Sequence, residues 1–212
     1  MRFHPRHFTR RRRPIFYNWE MSRSFFDLID RMEELAPGDR TALEQEVWRD
    51  FGVEMAILAL DMSQFSVSVR RSGILMYLQL IRRMRLLTAP LVAAAGGAVV
   101  KYEADNMMAV FPDAPQAVGA AIAIDREFAR DGRITAGIGI DFGSFLRIPD
   151  HDCFGDPVNI AYKLGEDVAQ AGEILISTAA RERLGAGTRY EVHERQASLS
   201  GLELQIYCVD WS

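Results

Sequence analysis

Three groups of side chains in this chain have types and spacings suited to chemistry. Asp61 ends the apolar run Glu54 to Leu60, and Asp105 lies in the tight Ala104-Asp105-Asn106 turn between the runs Ala98 to Glu103 and Met107 to Phe111. Two carboxylates at neighbouring strand ends can hold one or two divalent cations. Mg²⁺ favours a site of one or two carboxylates completed by water and phosphate oxygens, so the pair suits phosphate chemistry and has too few ligands for a closed cage. Spacing alone equally allows two ordinary turn or cap aspartates. Lys101, Glu103 and Asp105 alternate along the hairpin, so they point to one side of it, either as a solvated face or as the wall of a site. Asn159 and Lys163 stand four apart on a predicted helix and share a face, with the same two readings open.

The lysines carry a further signal. Of 25 basic residues only Lys101 and Lys163 are lysine, so this chain writes its cations almost entirely as arginine. Each lysine departs from that habit and marks a position for a compact ammonium rather than a planar guanidinium.

The elements that must position these groups follow from periodicity and punctuation. Apolar residues at helical spacing from Ser22 to about Asp50, interrupted at Ala36-Pro37-Gly38, predict two short amphipathic helices packed on the main domain or on a second copy of the chain. Glu54 to Leu60 reads as a strand, Gly73 to Leu87 as a helix closed by Thr88 and Pro90 with a further helical turn or two beyond, and the pair 98–103 and 107–111 as a hairpin. Pro112-Asp113 then opens an Ala-rich helix to about Arg130. Strand Ile134 to Asp141 carries Gly137 and Gly139 on one face, and a loop-rich stretch follows to Asp156. A helix from Pro157 to Ala169, strand Glu173 to Ile176, a short helix from Thr178 to Arg183 and strands near 190–193 and 202–209 complete the chain. This order predicts an α+β fold of the ferredoxin-like, split βαβ kind, with helices on one face of the sheet and a short helical N-terminal extension. The expected division is a basic, disordered leader over 1–20, a helical segment over 21–53 and one domain over 54–212.

Composition narrows the class. With 49% hydrophobic and 25% charged residues the 212-residue chain is an ordinary globular domain. Its most apolar stretches, Met55 to Leu60 and Leu86 to Val100, fall short of the about 20 unbroken apolar residues of a membrane span or are broken by Thr88, Pro90 and glycines. Six arginines in the first 20 residues face only Glu20, so the net charge of −4 hides a basic head on an acidic body. That head fits a disordered leader, or a gene start upstream of the true one at Met21, better than a contact with anionic lipid; no nucleic-acid partner is expected. No signal-peptide h-region is present, and Cys153 and Cys208 match no zinc or disulfide spacing, so the expected compartment is a reducing cytoplasm.

Several runs together resemble a known family. Leu58-Ala59-Leu60-Asp61-Met62-Ser63-Gln64-Phe65-Ser66, then Gly96 to Asp105, then Phe154-Gly155-Asp156-Pro157-Val158-Asn159-Ile160-Ala161-Tyr162-Lys163-Leu164, look like the signature segments of class III nucleotidyl cyclases, in the same order. Ile134 to Ile140 and Gly172 to Ser177 resemble the family as well, so the likeness spans roughly residues 54 to 209.

The resemblance implies adenylate cyclase activity, ATP to 3′,5′-cyclic AMP and pyrophosphate, in a homodimer with composite sites, using two Mg²⁺ or Mn²⁺ ions per site. Asp61 and Asp105 match the metal aspartates, the backbone of Met62 a further ligand, and Phe65 and Ser66 the amides facing the terminal phosphates. Lys101 and Asp152 match the pair that reads adenine, Asn159 the residue that orients the ribose, and Lys163 the place where the family usually has a transition-state arginine. The chain also departs from the pattern. Gln64 and Ala104 stand where the family usually has glycine, and Leu199-Ser200-Gly201-Leu202 offers no cation where a lysine is usual. These departures keep open a cyclase-like domain that binds a nucleotide or partner without turnover, and a guanylate or other nucleotide cyclase.

Overall fold

A computed structural model of the chain describes residues 16–63, 73–185, 190–199 and 202–211. The basic segment read as a leader lies mostly outside those residues, as do Phe65 and Ser66. Helices α1 (Phe16–Glu33) and α2 (Thr41–Phe51) flank a short 3₁₀ turn at Pro37–Asp39. Phe25 and Leu28 of α1 and Leu43, Val47 and Phe51 of α2 bury one apolar stripe against Ile148, so the pair packs on the sheet of its own chain.

The sheet begins with β1 (Gly52–Met62), continues after α3 (Ile74–Ala94) with β2 (Ala98–Glu103) and β3 (Asn106–Phe111), and after α4 (Ala114–Asp131) with β4 (Ala136–Ile148). These strands lie in the order β2-β3-β1-β4, every neighbouring pair antiparallel, which is the split βαβ arrangement expected. Beyond β4 come β5 (Asp152–Phe154), α5 (Asp156–Lys163), β6 (Ile174–Ser177), α6 (Thr178–Glu182), β7 (Glu191–Leu199) and β8 (Leu202–Asp210). β6 joins β4 in parallel, and β8 and β7 extend the sheet from it.

One expectation is corrected here: helices cover both faces of the sheet. Ala56, Leu58 and Leu60 of β1 pack with Met84, Val92, Ile124 and Phe128 of α3 and α4, whereas Ile57 and Ala59 pack with Val158 and Ala161 of α5. Five consecutive residues of β1 are therefore almost fully buried, the signature of a strand covered on both sides. Gly137 and Gly139 are the cause on the second face. A Cβ at Gly139 would lie 2.1 Å from the carbonyl oxygen of Ala161, and one at Gly137 2.6 Å from that of Gly165, so their lack of side chains lets the α5 segment lie directly on β4.

Three element ends also differ. α3 continues through Pro90 to Ala94, because the residue beyond, Val92, is core and a proline removes only one ladder bond; Thr88 closes nothing, its hydroxyl donating to the Met84 carbonyl at 2.9 Å. The stretch read as loop after Asp141 is mostly strand, since β4 pairs with β1 as far as Leu146↔Gly52 and then turns back at Asp150 into β5. The helix expected to reach Ala169 ends at Lys163 and gives way to a π turn, Leu164–Val168, whose Gly165 lies so close to β1 that a Cβ would sit 2.8 Å from the Ala59 carbonyl oxygen.

Candidate active site

Asp61 occupies the end of β1, between Asn106 of β3 and Gly137 of β4 in the ladder. Asp105 is carried to the same end by the β2-β3 turn, which docks on β1 through the Met62 N–H donating to the Asp105 carbonyl at 3.3 Å. The turn requires Ala104 at φ 46°, a left-handed conformation that costs a residue with a Cβ about 1 kcal/mol and in which glycine is at ease. Tyr77 of α3 donates its hydroxyl to Asp105 Oδ2 at 2.9 Å and fixes that carboxylate. Burial, with the nearby charges of Asp105 and Glu166, pushes the Asp61 carboxyl up to about 6.

Glu166 escaped the sequence reading. The π turn places it so that it accepts a hydrogen bond from Asn106 Nδ2, and burial together with Asp167, Asp105 and Glu103 raises its carboxyl from the ordinary glutamate range. No local pattern marks it, because its place depends on the π turn. The result is an excess of negative charge at one end of β1, which calls for protons or for a cation. Among the described residues no three His, Cys, Asp or Glu side chains form a ready-made metal cage. A donor set of two carboxylates at the sheet edge fits Mg²⁺ or Mn²⁺ that takes its remaining ligands from water and phosphate.

Lys101 lies on β2 at one edge of the sheet and Asp152 on β5, which pairs with β4 two strands beyond β3, yet their Nζ and Oδ2 lie 3.0 Å apart. Cys153 explains the meeting. Its side chain is buried with Ile57, Met108 and Val110, which draws β5 over the second face of the sheet toward β2, and the same burial pushes its thiol up to about 12. Asp152 Oδ1 accepts the Cys153 N–H at 2.8 Å, leaving Oδ2 for the lysine. Lys101 also reaches Glu103 at 3.3 Å, as their alternation along the strand implied. Burial pulls its ammonium pKa down, but the hydrogen bond and charge of Asp152 outweigh that and the net direction is up, so the group stays charged.

α5 turns Pro157, Val158 and Ala161 inward and leaves Asn159 exposed and Lys163 half-buried. Lys163 Nζ stands 4.0 Å from Asp167 Oδ2. The chain thus brings together Asp61 with Asp105 and Met62, and Lys101 with Asp152, and sets Asn159 and Lys163 one turn apart on α5. Among the described residues no hydrogen bond or ion pair runs from Asp61 or Asp105 to Lys101, Asp152, Asn159 or Lys163.

No protein-family model matches the chain. A Rhizobium meliloti (strain 1021) protein named "Putative adenylate cyclase 3" is 28% identical over 165 residues, covering 74% of this chain and 28% of the relative's own length. The chain therefore spans under a third of that relative. Among solved structures, an adenylate/guanylate cyclase/hydrolase from Silicibacter pomeroyi superposes with a TM-score of 0.66 at 26% identity, over 75% of this chain and 97% of that one. The guanylate cyclase domain from Catenaria anguillulae in complex with GTP gives a TM-score of 0.65 at 21% identity, over 74% and 95%. Structural neighbours thus include cyclases of both bases, and the shared features are the sheet, its helices and their order. By fold and by sequence, this chain is similar to the catalytic domains of class III nucleotidyl cyclases.

Proposed function

We propose that the chain is an adenylate cyclase that converts ATP to 3′,5′-cyclic AMP and pyrophosphate. The observation that carries this reading is the Lys101–Asp152 pair, a charged donor held 3.0 Å from an acceptor on one wall. Adenine presents a ring-nitrogen acceptor beside an exocyclic amine donor, so an ammonium and a carboxylate side by side match it. With the ammonium set toward the ring nitrogen and the carboxylate toward the exocyclic group, guanine, which reverses donor and acceptor at those two positions, would be mismatched at both, at a cost that supports large discrimination.

In the reaction the ribose 3′-oxygen loses its proton and forms a bond to the α-phosphorus, while the bond to the β-phosphate bridging oxygen breaks and pyrophosphate departs. Asn159 orients the ribose for that attack. Lys163 sets a positive charge at the α-phosphate, where a preorganised donor of this kind is worth about 3 kcal/mol. Asp61, Asp105 and the Met62 backbone hold two divalent cations, Mg²⁺ or Mn²⁺, which when bound acidify the hydroxyl and neutralise phosphate oxygens. Phe65 and Ser66 are assigned to the terminal phosphates by family resemblance.

The family resemblance supports a site shared between two chains. A head-to-tail homodimer gives Asp61 and Asp105 of one copy the Lys101, Asp152, Asn159 and Lys163 of the other, making two equivalent sites. Product analysis after incubation with ATP, GTP, CTP or UTP and Mn²⁺ or Mg²⁺ tests the reaction, with cyclic AMP the expected product. Mixing Asp61→Ala chains with Lys101→Ala chains tests the assembly: activity absent from both parents returns in the mixture, and its failure to return in verified mixed dimers removes the shared site.

One observation favours a second reading. Lys163 is a single ammonium drawn toward Asp167 where a guanidinium fork is usual, which suits a domain that binds nucleotide without turnover. Tight ATP binding with no cyclic product under any metal selects that reading.

A further inference from the structure

The base-reading carboxylate sits on a hairpin whose flanking residues the N-terminal helices touch. Phe25 of α1 stacks on Phe154, ring centroids 6.0 Å apart and planes within 5°. Phe26, the next residue, meets His151 edge-on at 5.8 Å. Ile148, the cross-strand partner of Asp152, is wholly buried in the cluster formed by Phe25, Leu28, Leu43, Val47 and Phe51. Asp152 is therefore bracketed on both sides along its own strand, and opposite it in the ladder, by residues that α1 and α2 hold. Phe25 is itself fixed from behind by Phe51 at 5.1 Å.

We infer that Phe25 and Phe26 of α1 are positioning residues for base selection, holding the β4-β5 hairpin so that Asp152 stays within reach of Lys101 and of the base. The inference rests on the adenine reading above and extends it to a segment outside the sheet. Three facts make the coupling mechanical rather than incidental. β5 is only three residues long and pairs with β4 alone, so its ladder bonds are few. The hairpin turns through Asp150 in the left-handed region, φ 53°, a conformation that surrounding packing must maintain. Asp152 accepts from Lys101 at Oδ2 and from the Cys153 N–H at Oδ1, so a small rotation of the hairpin moves both oxygens together. A reader displaced by about 1 Å loses most of its power to choose between bases.

The test compares two variants of the full chain. Phe26→Ala with Phe154→Leu alters the contacts at two half-exposed rings and leaves Phe25 in the core; Leu86→Ala removes a similarly exposed apolar group from α3 as a control. For the double variant, the expected result is a rise in the Michaelis constant for ATP of about fivefold to tenfold, a turnover number within about twofold of the parent, and an ATP over GTP preference lowered by about the same factor. The control keeps the parent's values. Equilibrium binding of fluorescent ATP and GTP analogues reads the same preference without turnover, so a chain that binds but does not cyclise refutes the enzyme reading and still decides this one. An unchanged preference, an equal loss for both nucleotides, or a parent that binds neither overturns the inference.

Discussion

Asp61 offers a test that needs neither nucleotide nor turnover. Its carboxyl is raised to about 6 by burial and by the Asp105 and Glu166 charges, so the folded state holds that proton more tightly than an unfolded chain does. Stability then falls as pH climbs from the ordinary aspartate range through about 6, and the ionised form destabilises the metal-free protein at neutral pH. At full weight the shift is worth about 3 kcal/mol. Water still reaches this half-buried group, which leaves about 1 to 2 kcal/mol after screening. Asp61→Asn keeps the shape and removes the charge. In chelator-treated protein at pH 7.5 it should melt about 3 to 6 °C above the parent, given about 2 to 4 °C per kcal/mol for a chain of this size. The advantage should shrink on the way to pH 5, and added Mn²⁺ should stabilise the parent and leave the variant unmoved, narrowing or reversing the order. An Asp61→Asn chain no more stable than the parent at pH 7.5, or an advantage independent of pH, refutes the argument that crowded carboxylates at this strand end await a cation.

Other perturbations read other parts of the site. Lys101→Glu with Asp152→Cys should depress ATP use and raise GTP use in a steady-state comparison; equal losses for both nucleotides would dismiss the pair as base readers. Lys163→Ala should lower the turnover number by about 10² to 10³ with little change in the Michaelis constant, whereas Lys163→Arg should keep substantial activity; an alanine variant as fast as the parent removes the transition-state role. Gly139→Ala should cost more than about 2 kcal/mol in denaturant unfolding, because its Cβ meets backbone of the α5 segment at 2.1 and 2.5 Å, and an innocuous alanine would mean that α5 lies further from β4. Ala104→Gly should stabilise the chain by about 1 kcal/mol by relieving the left-handed turn, with no gain in melting temperature as the contrary result.

What the sequence displayed and what it concealed divide along a physical line. The ferredoxin-like core was readable because each of its elements is signalled locally: β1 by an unbroken apolar run, the hairpin by a tight turn, α4 by its Asp113 cap and Ala-rich face. Asp61 and Asp105 were readable for the same reason, each standing at a boundary that its neighbours define. The pairing of Lys101 with Asp152 is of another kind, since 51 residues separate them and only the burial of Cys153 carries β5 across the sheet. That pair entered through resemblance, as no periodicity relates its members. Glu166 was concealed more deeply, because the helical spacing that predicts a face through Asn159 and Lys163 fails from the next residue, Leu164, where the π turn rotates the chain. The turn follows from the close approach of Gly165 to β1, a contact between segments more than a hundred residues apart. The helices on the second face were likewise invisible to a reading that took Gly137 and Gly139 as a pattern within one strand: their meaning lay in the helix they admit. Residues fixed by their neighbours in sequence were therefore legible as structure, and residues fixed by neighbours in space were legible only where a family pattern stood in for the fold. β4, whose glycines seat the segment bearing Asn159 and Lys163, also pairs with β1 at Asp61 and leads into the hairpin bearing Asp152, so one strand sets the spacing among all three groups. In the proposed dimer, a change that tilts β4 would move Asp61 of one site and Asp152, Asn159 and Lys163 of the other together.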